Sequence, residues 1–297
     1  MKRALVLVAM LACKRTDDDP KKTTALPPTP FDEVDVDLPP GSSDLALDDR
    51  GHLWSIAERD RVISEIELTD NPIATRVTHH PVDGVPDGVD TEAIAWLGGG
   101  KFAIGTEGQQ EATAAVMFGE LGTDGRIAIH PALSFTNDQL GVVMTKNHGV
   151  ESLCGRGDDL LVGIESWGTL PDGGRWSPLI RLHGGAVTEI AKLRLTSDRG
   201  KLSALYCTFA PDGTADVIGI ERHYGVSRIL AFSDALGAKE ITPKIAMDLW
   251  TVVRDRYHEK LNLEGIVTLA DGRWVMVNDN QGAQVDGPTK LFVFHSR

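Results

Sequence analysis

An all-β propeller is the fold predicted for this 297-residue chain. Three observations carry the expectation. One phrase recurs five times: an acidic or small polar opener, an apolar strand, a Gly/Asp turn, a second apolar strand and a terminal carboxylate. Further apolar segments follow the copies until most units hold four strands. The last unit has only three, and an alternating segment ahead of the first can supply its fourth. A unit recurring at roughly 40–60 residues marks a propeller or an array, and four strands make one propeller blade.

The chain begins MKRALVLVAMLAC, with Lys2 and Arg3 ahead of an apolar run at residues 4–12. That run is too short to span a bilayer and suits the apolar region of a secretory signal. Its end, Leu11-Ala12-Cys13, looks like a bacterial lipoprotein signal. Residues 1–12 are therefore expected to be a leader, with Cys13 as the lipidated first residue of the mature chain. Lys14 after that cysteine resembles an outer-membrane address, so a periplasmic or outer-membrane-anchored lipoprotein is expected. Residues 13–30 carry charge and proline without apolar periodicity and read as a flexible tether. Residues 31–297 are left as a single domain.

FDEVDVDL, residues 31–38, alternates as a strand does. Pairing it with the last unit would remove an open sheet edge. The five copies then follow: SDLALDDRGHLWSIAE from Ser43, TEAIAWLGGGKFAIGTE from Thr91, VESLCGRGDDLLVGIE from Val150, LSALYCTFAPDGTADVIGIE from Leu202 and LEGIVTLADGRWVMVND from Leu263. Their Gly/Asp turns permit the backbone angles of a tight reversal. The additional strands are residues 62–68 and 74–80, 114–121 and 126–133, 178–183 and 187–195, and 227–232 and 239–244. Five blades are predicted, with six as the alternative if a divergent blade hides in a loop. Residues 134–148 read as a long loop. Residues 245–260 place Ile245, Leu249, Trp250, Val253 and Tyr257 at three- and four-residue spacing, predicting an amphipathic helix on one face of the ring.

Cys154 and Cys207 fall in the first strands of the third and fourth units. A disulfide is open to an exported protein, but two buried thiols are the favoured expectation. The net charge of −13 argues against a nucleic-acid partner, since phosphate binding needs a basic surface. An apolar share of 41% is enough for a core.

In a hairpin, the start of the first strand and the end of the second share one rim. If the first strands line the axis, the openers Glu92, Glu151 and Glu264 surround one mouth. The enders Glu58, Glu107, Glu165, Glu221 and Asp279 sit close behind, and Asp90 and Asn262 each precede an opener by two residues. Asp44 and Ser203 stand near the opener position in the first and fourth units. So many acids repel unless something offsets them. Divalent cations do so, and Ca2+ accepts irregular cages of six to eight oxygens. Raised pKa values, or pairing with Arg59, Arg222, Lys146 and Lys101, are the other ways. The metal candidates are Glu92, Glu151, Glu264, Glu221, Asp279 and Asp90. The catalytic candidates are Glu107, Glu165 and His148; Arg222, Lys146 and Asn262 are candidates for binding substrate. His79, His80 and His223 are further acid/base groups. The sequence has no Gly-x-Ser-x-Gly elbow, Walker loop, dinucleotide fingerprint or HExxH.

Residues 262–295, NLEGIVTLADGRWVMVNDNQGAQVDGPTKLFVFH, resemble the closing pattern of the phytase-like β-propellers, the family described by an "esterase-like activity of phytase". GIERHYGVSRILAF from Gly219 resembles that family's Glu-Arg strand end followed by an Arg-Ile strand. IAERDRVISEIEL from Ile56 is a weaker copy, and DTEAIAW from Asp90 resembles its inner-strand openers. The resemblance implies an exported propeller with an axial acidic metal site and hydrolysis of an ester or phosphoester. Phytate itself needs a cluster of Lys and Arg or several metals, and the predicted rim is mainly acidic. A metal-dependent hydrolase of a small ester or phosphoester is thus one expectation. A non-catalytic module, lipid-tethered and binding an envelope protein or glycan, is the other.

Overall fold

The computed structural model describes residues 30–70, 73–234, 237–280 and 288–294. The leader, Cys13 and the tether as far as Thr29 lie outside these residues, as do residues 281–287 and 295 of the closing motif.

The short strand β1 (Phe31–Asp35) precedes a first run of β2 (Ser42–Leu47), β3 (Leu53–Ala57), β4 (Val62–Thr69) and β5 (Ala74–Asp83). The second run is β6 (Val89–Gly98), β7 (Lys101–Gly108), β8 (Ala114–Leu121) and β9 (Ile127–Phe135), followed by the one-turn helix α1 (Asn137–Leu140). The third is β10 (Val150–Arg156), β11 (Asp159–Ile164), the two-residue β12 (Gly168–Thr169), β13 (Arg175–His183) and β14 (Ala186–Arg194). The fourth is β15 (Lys201–Phe209), β16 (Ala215–His223), β17 (Val226–Asp234), the two-residue β18 (Glu240–Ile241) and β19 (Lys244–Asp248). After helix α2 (Trp250–Tyr257) come β20 (Asn262–Thr268), β21 (Trp274–Asp279) and β22 (Lys290–Phe294).

Within each run the strands pair antiparallel in chain order, except that β12 pairs only with β13 and β18 joins the third run's sheet beside β14. The last run takes its fourth strand from the front of the chain: β1 pairs antiparallel with β22, Phe31 opposite Phe294 and Asp35 opposite Lys290. The expected closing strand is therefore in place. The first strands β2, β6, β10, β15 and β20 touch in a closed circuit, each meeting the next and β20 meeting β2.

The core follows the same circuit. An apolar cluster fills the space between each adjacent pair of runs. Trp54, Ile63 and Phe102 join the first and second, and Val116, Leu153 and Ile180 the second and third. Leu161, Leu205 and Val217 join the third and fourth, Ile229, Met276 and Phe292 the fourth and fifth, and Leu53, Ile66 and Val293 the fifth and first. Strands β2 and β3 are buried on both faces, and β3 reads LWSIA, nearly all apolar, whereas the outer strand β5 alternates exposed and covered positions.

Four expectations are corrected here. Residues 244–248 form strand β19, paired with β17, so the helix covers only Trp250–Tyr257 and Ile245 is 48% exposed. The fourth run needs an outer strand, and that pairing overrides a helical spacing of apolar residues. The segment 239–244 does not supply it. Pro243 has no amide to give a ladder, and Glu240–Ile241 instead pairs parallel with β14 of the third run. Within 134–148, residues 134–135 end β9 and Asn137–Leu140 form α1, capped by Thr136 and Gln139. Cys154 and Cys207 are joined as a disulfide across the neighbouring first strands β10 and β15, Cα atoms 5.6 Å apart, rather than kept as thiols. Among the described residues no helix is long and apolar enough to cross a membrane.

Candidate metal centre and its basic flank

Each first strand slips register by one residue at its opener. Thr91 pairs with Thr106 and Ala93 with Gly105, leaving Glu92 as the extra residue. Glu151 and Glu264 are left over in the same way in β10 and β20. Ser203 is the extra residue in β15, and the slip in β2 falls between Ser43 and Ala46. A bulge inserts one residue, bends the strand and re-aims a side chain. Here it takes the opener out of the alternating ladder. The three openers are buried, at 5–7% exposure.

Around them the carboxylates converge. One oxygen each from Glu58, Asp90 and Glu92 lie within 4.8 Å of one another, and the same holds for Glu58, Glu264 and Asp279. Glu58, which follows β3, belongs to both groups. Burial, then the charges of Asp279 and Glu264, push the Glu58 carboxyl up to about 8. Burial pushes Glu264 to about 7 although Arg222 pulls the other way. Glu107 is raised to about 7 by burial and by Glu165. Glu92 and Glu151 are held well above the usual carboxylate range, first by burial and then by neighbouring acids. Polar partners offset only part of this. Arg59 reaches Asp90 at 3.3 Å, Arg222 pairs with Glu264, and Asn262 Nδ2 donates to Glu264 Oε1 at 2.9 Å and Asp279 Oδ2 at 3.1 Å. Glu107 Oε2 is buried with no hydrogen-bond partner.

The axis is closed at this level. Asp44, buried and at φ 50°, accepts from the Leu45 amide at 2.8 Å and the Ile94 amide at 3.0 Å, tying β2 to β6. Deeper along the axis Leu45, Ile94, Leu153 and Leu205 surround a space of only about 30 Å3. The acids thus line a recess with a floor.

The other half of the rim is basic. Lys201 Nζ lies 3.0 Å from Glu165 Oε1 and 3.0 Å from His148 Nε2. An ammonium can only donate, so His148 Nε2 accepts and its Nδ1–H donates to Thr145 Oγ1, 2.5 Å away. Burial, and to a smaller extent Lys201, lower the His148 pKa against the pull of Glu165. The ring also faces Trp167, which the Arg175 guanidinium covers at 4.1 Å.

The expected site residues divide as follows. Glu92, Glu151, Glu264, Asp279, Asp90, Glu107 and Asn262 are drawn to one place. Glu165 and His148, candidates for the general base, are there too, and both are engaged by Lys201. Glu221 is a correction: its carboxylate accepts from the backbone and hydroxyl groups of Thr196 and Ser197, and a Cβ on Gly200 would collide with it. It pins a loop. Lys146 is exposed on the loop before His148, and Lys101 begins β7 at the opposite rim, so neither meets the acids. His79 bonds Ser64, and His80 bonds the Gly125 carbonyl, both on outer strand β5. Sequence reasoning missed Lys201 as a site residue and Glu58 as the shared carboxylate. Lys201 precedes Ser203 by two residues, the offset that singles out Asp90 and Asn262, so a signal for it was present.

A cavity of about 1030 Å3 lies among the hairpin turns of the opposite rim, beside Asp49, Thr208 and Asp271. It holds none of these groups. Two smaller cavities adjoin the recess, one of about 700 Å3 beside His148 and Trp167, the other of about 400 Å3 beside Lys201 and Arg222. The non-glycine residues with positive φ among the described residues are Asp44, Arg61, Asn147, His258 and Glu259, all in segments at this rim. Such strain gathers where function over-determines the backbone.

No protein-family model matches the chain, and no curated protein does. Among solved structures, the PQQ-bound aldose sugar dehydrogenase of Streptomyces coelicolor aligns with a TM-score of 0.50 at 10% identity, over 91% of this chain and 99% of that one. The exo-β-1,3-galactanase of Phanerochaete chrysosporium with galactose aligns with a TM-score of 0.51 at 9% identity, over 86% of this chain and 60% of that one. At such identity the likeness is one of fold. The chain is an all-β protein of propeller type, an architecture that hosts enzymes and non-enzymes alike.

Proposed function

We propose that this protein is an exported, phytase-like propeller of five blades whose acidic recess holds a divalent cation and hydrolyses an ester or phosphoester. The closed circuit of first strands and the five inter-run cores support five blades. The Cys154–Cys207 disulfide supports export, because such bonds persist in oxidising compartments. It accords with the lipoprotein signal, the lipid anchor at Cys13 and a periplasmic or outer-membrane location.

The observation that carries the reading is the pair of carboxylate groups sharing Glu58. Acids crowded this closely and buried ask for positive charge. The donor set is all oxygen, which fits a hard cation such as Ca2+. Glu58, Asp90, Glu92, Glu264 and Asp279 would hold it. The bound cation would supply Lewis acidity toward the ester oxygen and toward a water. Glu107, raised to about 7 with one oxygen unpartnered, is poised to take a proton from that water. Arg222 and Asn262 fix the Glu264 carboxylate from the basic side. Lys201 holds Glu165 and His148 in place.

The test is a chromogenic ester and phosphoester screen with Ca2+ and with chelator. Activity lost with chelator and in Glu58→Gln, in protein that stays folded, supports the hydrolase. A second reading, a binding module for an envelope protein or glycan, is favoured by the mutual engagement of Lys201, Glu165 and His148, which ties His148 and one Glu165 oxygen to the ammonium. An inert, folded protein that retains Ca2+ would favour it.

A further inference from the structure

The cavity of about 400 Å3 between the fourth and fifth runs reverses the sign of its surroundings. Lys201, Arg222, His223 and Lys260 line it, against one carboxylate, Glu259, in a chain of net charge −13. Arg222 keeps its Nε donor buried without a hydrogen-bond partner, although its other nitrogen pairs with Glu264. An unmet donor of that kind costs free energy until an acceptor arrives. Tyr224, 74% exposed, stands on the same wall with its ring 5.0 Å from that of His223. The left-handed pair His258 and Glu259, at φ 53° and 66°, ends α2 and sets Lys260 on the wall. Two lining residues reach the carboxylate recess: Arg222 pairs with Glu264, and Asn262 bonds both Glu264 and Asp279.

We propose that this cavity is an oxyanion subsite, taking a carboxylate, sulfate or phosphate group that lies beside the bond to be cleaved. The proposal rests on the hydrolase reading of the recess and narrows its substrates to esters that carry an acidic group, with Tyr224 against the organic part. Guanidinium and ammonium groups together suit such a ligand, the first by paired donors and the second as a point charge.

Calorimetric titration of the full chain with inorganic phosphate, sulfate and acetate, in chelator and without Ca2+, tests the cavity apart from any reaction. One saturable site is expected. Lys260→Glu and His223→Gln should each weaken it about fivefold or more, with unfolding temperatures near wild type. The ranking of the three anions tells which acidic group the subsite prefers. No binding to the wild type, or binding undiminished in both variants, overturns the proposal. Failure of the hydrolase reading would be separate: loss of Ca2+ binding or of activity, with anion binding intact.

Discussion

Lys201 donates to His148, Nζ to Nε2 at 3.0 Å, and so fixes which imidazole nitrogen carries the proton. The contact joins the loop before β10 to the start of β15. It turns a histidine that the sequence offers as a base into one whose two nitrogens are both engaged.

Removing that ammonium should release the histidine. In Lys201→Met burial alone is left to oppose the attraction of Glu165, so the His148 pKa should rise, as followed by NMR titration of the imidazole. A value that stays or falls would mean the contact does not govern the ring.

Stability should depend on pH in an unusual direction. Glu58 titrates at about 8, and Glu107 and Glu264 at about 7, each above the unfolded value near 4.5. Between those limits the native state binds more protons than the unfolded chain, so metal-free protein should lose stability as pH rises from about 4.5 to about 8. Thermal unfolding in chelator checks this, and Ca2+ should flatten or invert the trend. A transition temperature that climbs over this range in chelator would contradict it.

The disulfide closes a 53-residue separation between two axial strands. Chain-entropy arguments assign such a loop about 4 kcal/mol. Cys154→Ser with Cys207→Ser, or reduction, should lower the unfolding temperature markedly while leaving Ca2+ affinity close to wild type.

Glu221 and Glu264 should separate cleanly. Glu221→Gln puts an amide among four donors from Thr196 and Ser197 and should cost about 1–3 kcal/mol of stability. Its Ca2+ affinity should not change. Glu264→Gln should weaken Ca2+ binding by about tenfold or more, measured by calorimetry. Equal effects of the two on affinity would restore Glu221 as a ligand.

Asp44 is predicted to be an axial tie. Asp44→Ala leaves the Leu45 and Ile94 amides without their acceptor and should destabilise the protein by about 2–4 kcal/mol, read from denaturant unfolding.

Much of the architecture was legible because it is periodic. Alternation in residues 31–38 predicted a strand for the last unit, and Phe31 does face Phe294. The opener and ender positions predicted which acids would meet, and Glu92, Glu264 and Asp279 do. The remainder depends on geometry that spacing does not encode. A bulge at each opener sets where its side chain goes, and nothing in the alternation of Thr91, Glu92 and Ala93 announces it. Glu221 shares the ender position of Glu58, yet a local loop claims its carboxylate. The spacing of Ile245 and Leu249 fits a helix, but the need of β17 for a partner decides otherwise. Cys154 and Cys207 sit one position apart in the aligned units, and only the approach of neighbouring first strands brings them into bonding range.

Calorimetric titration of chelator-treated protein with CaCl2 near neutral pH, repeated in buffers of different ionisation enthalpy, bears most directly on the carboxylate recess. Saturable binding with net proton release is expected, because carboxyls that titrate at about 7 and 8 must give up protons to a cation, and Glu58→Gln should abolish it. No binding heat, or binding unchanged in Glu58→Gln, would contradict the assignment.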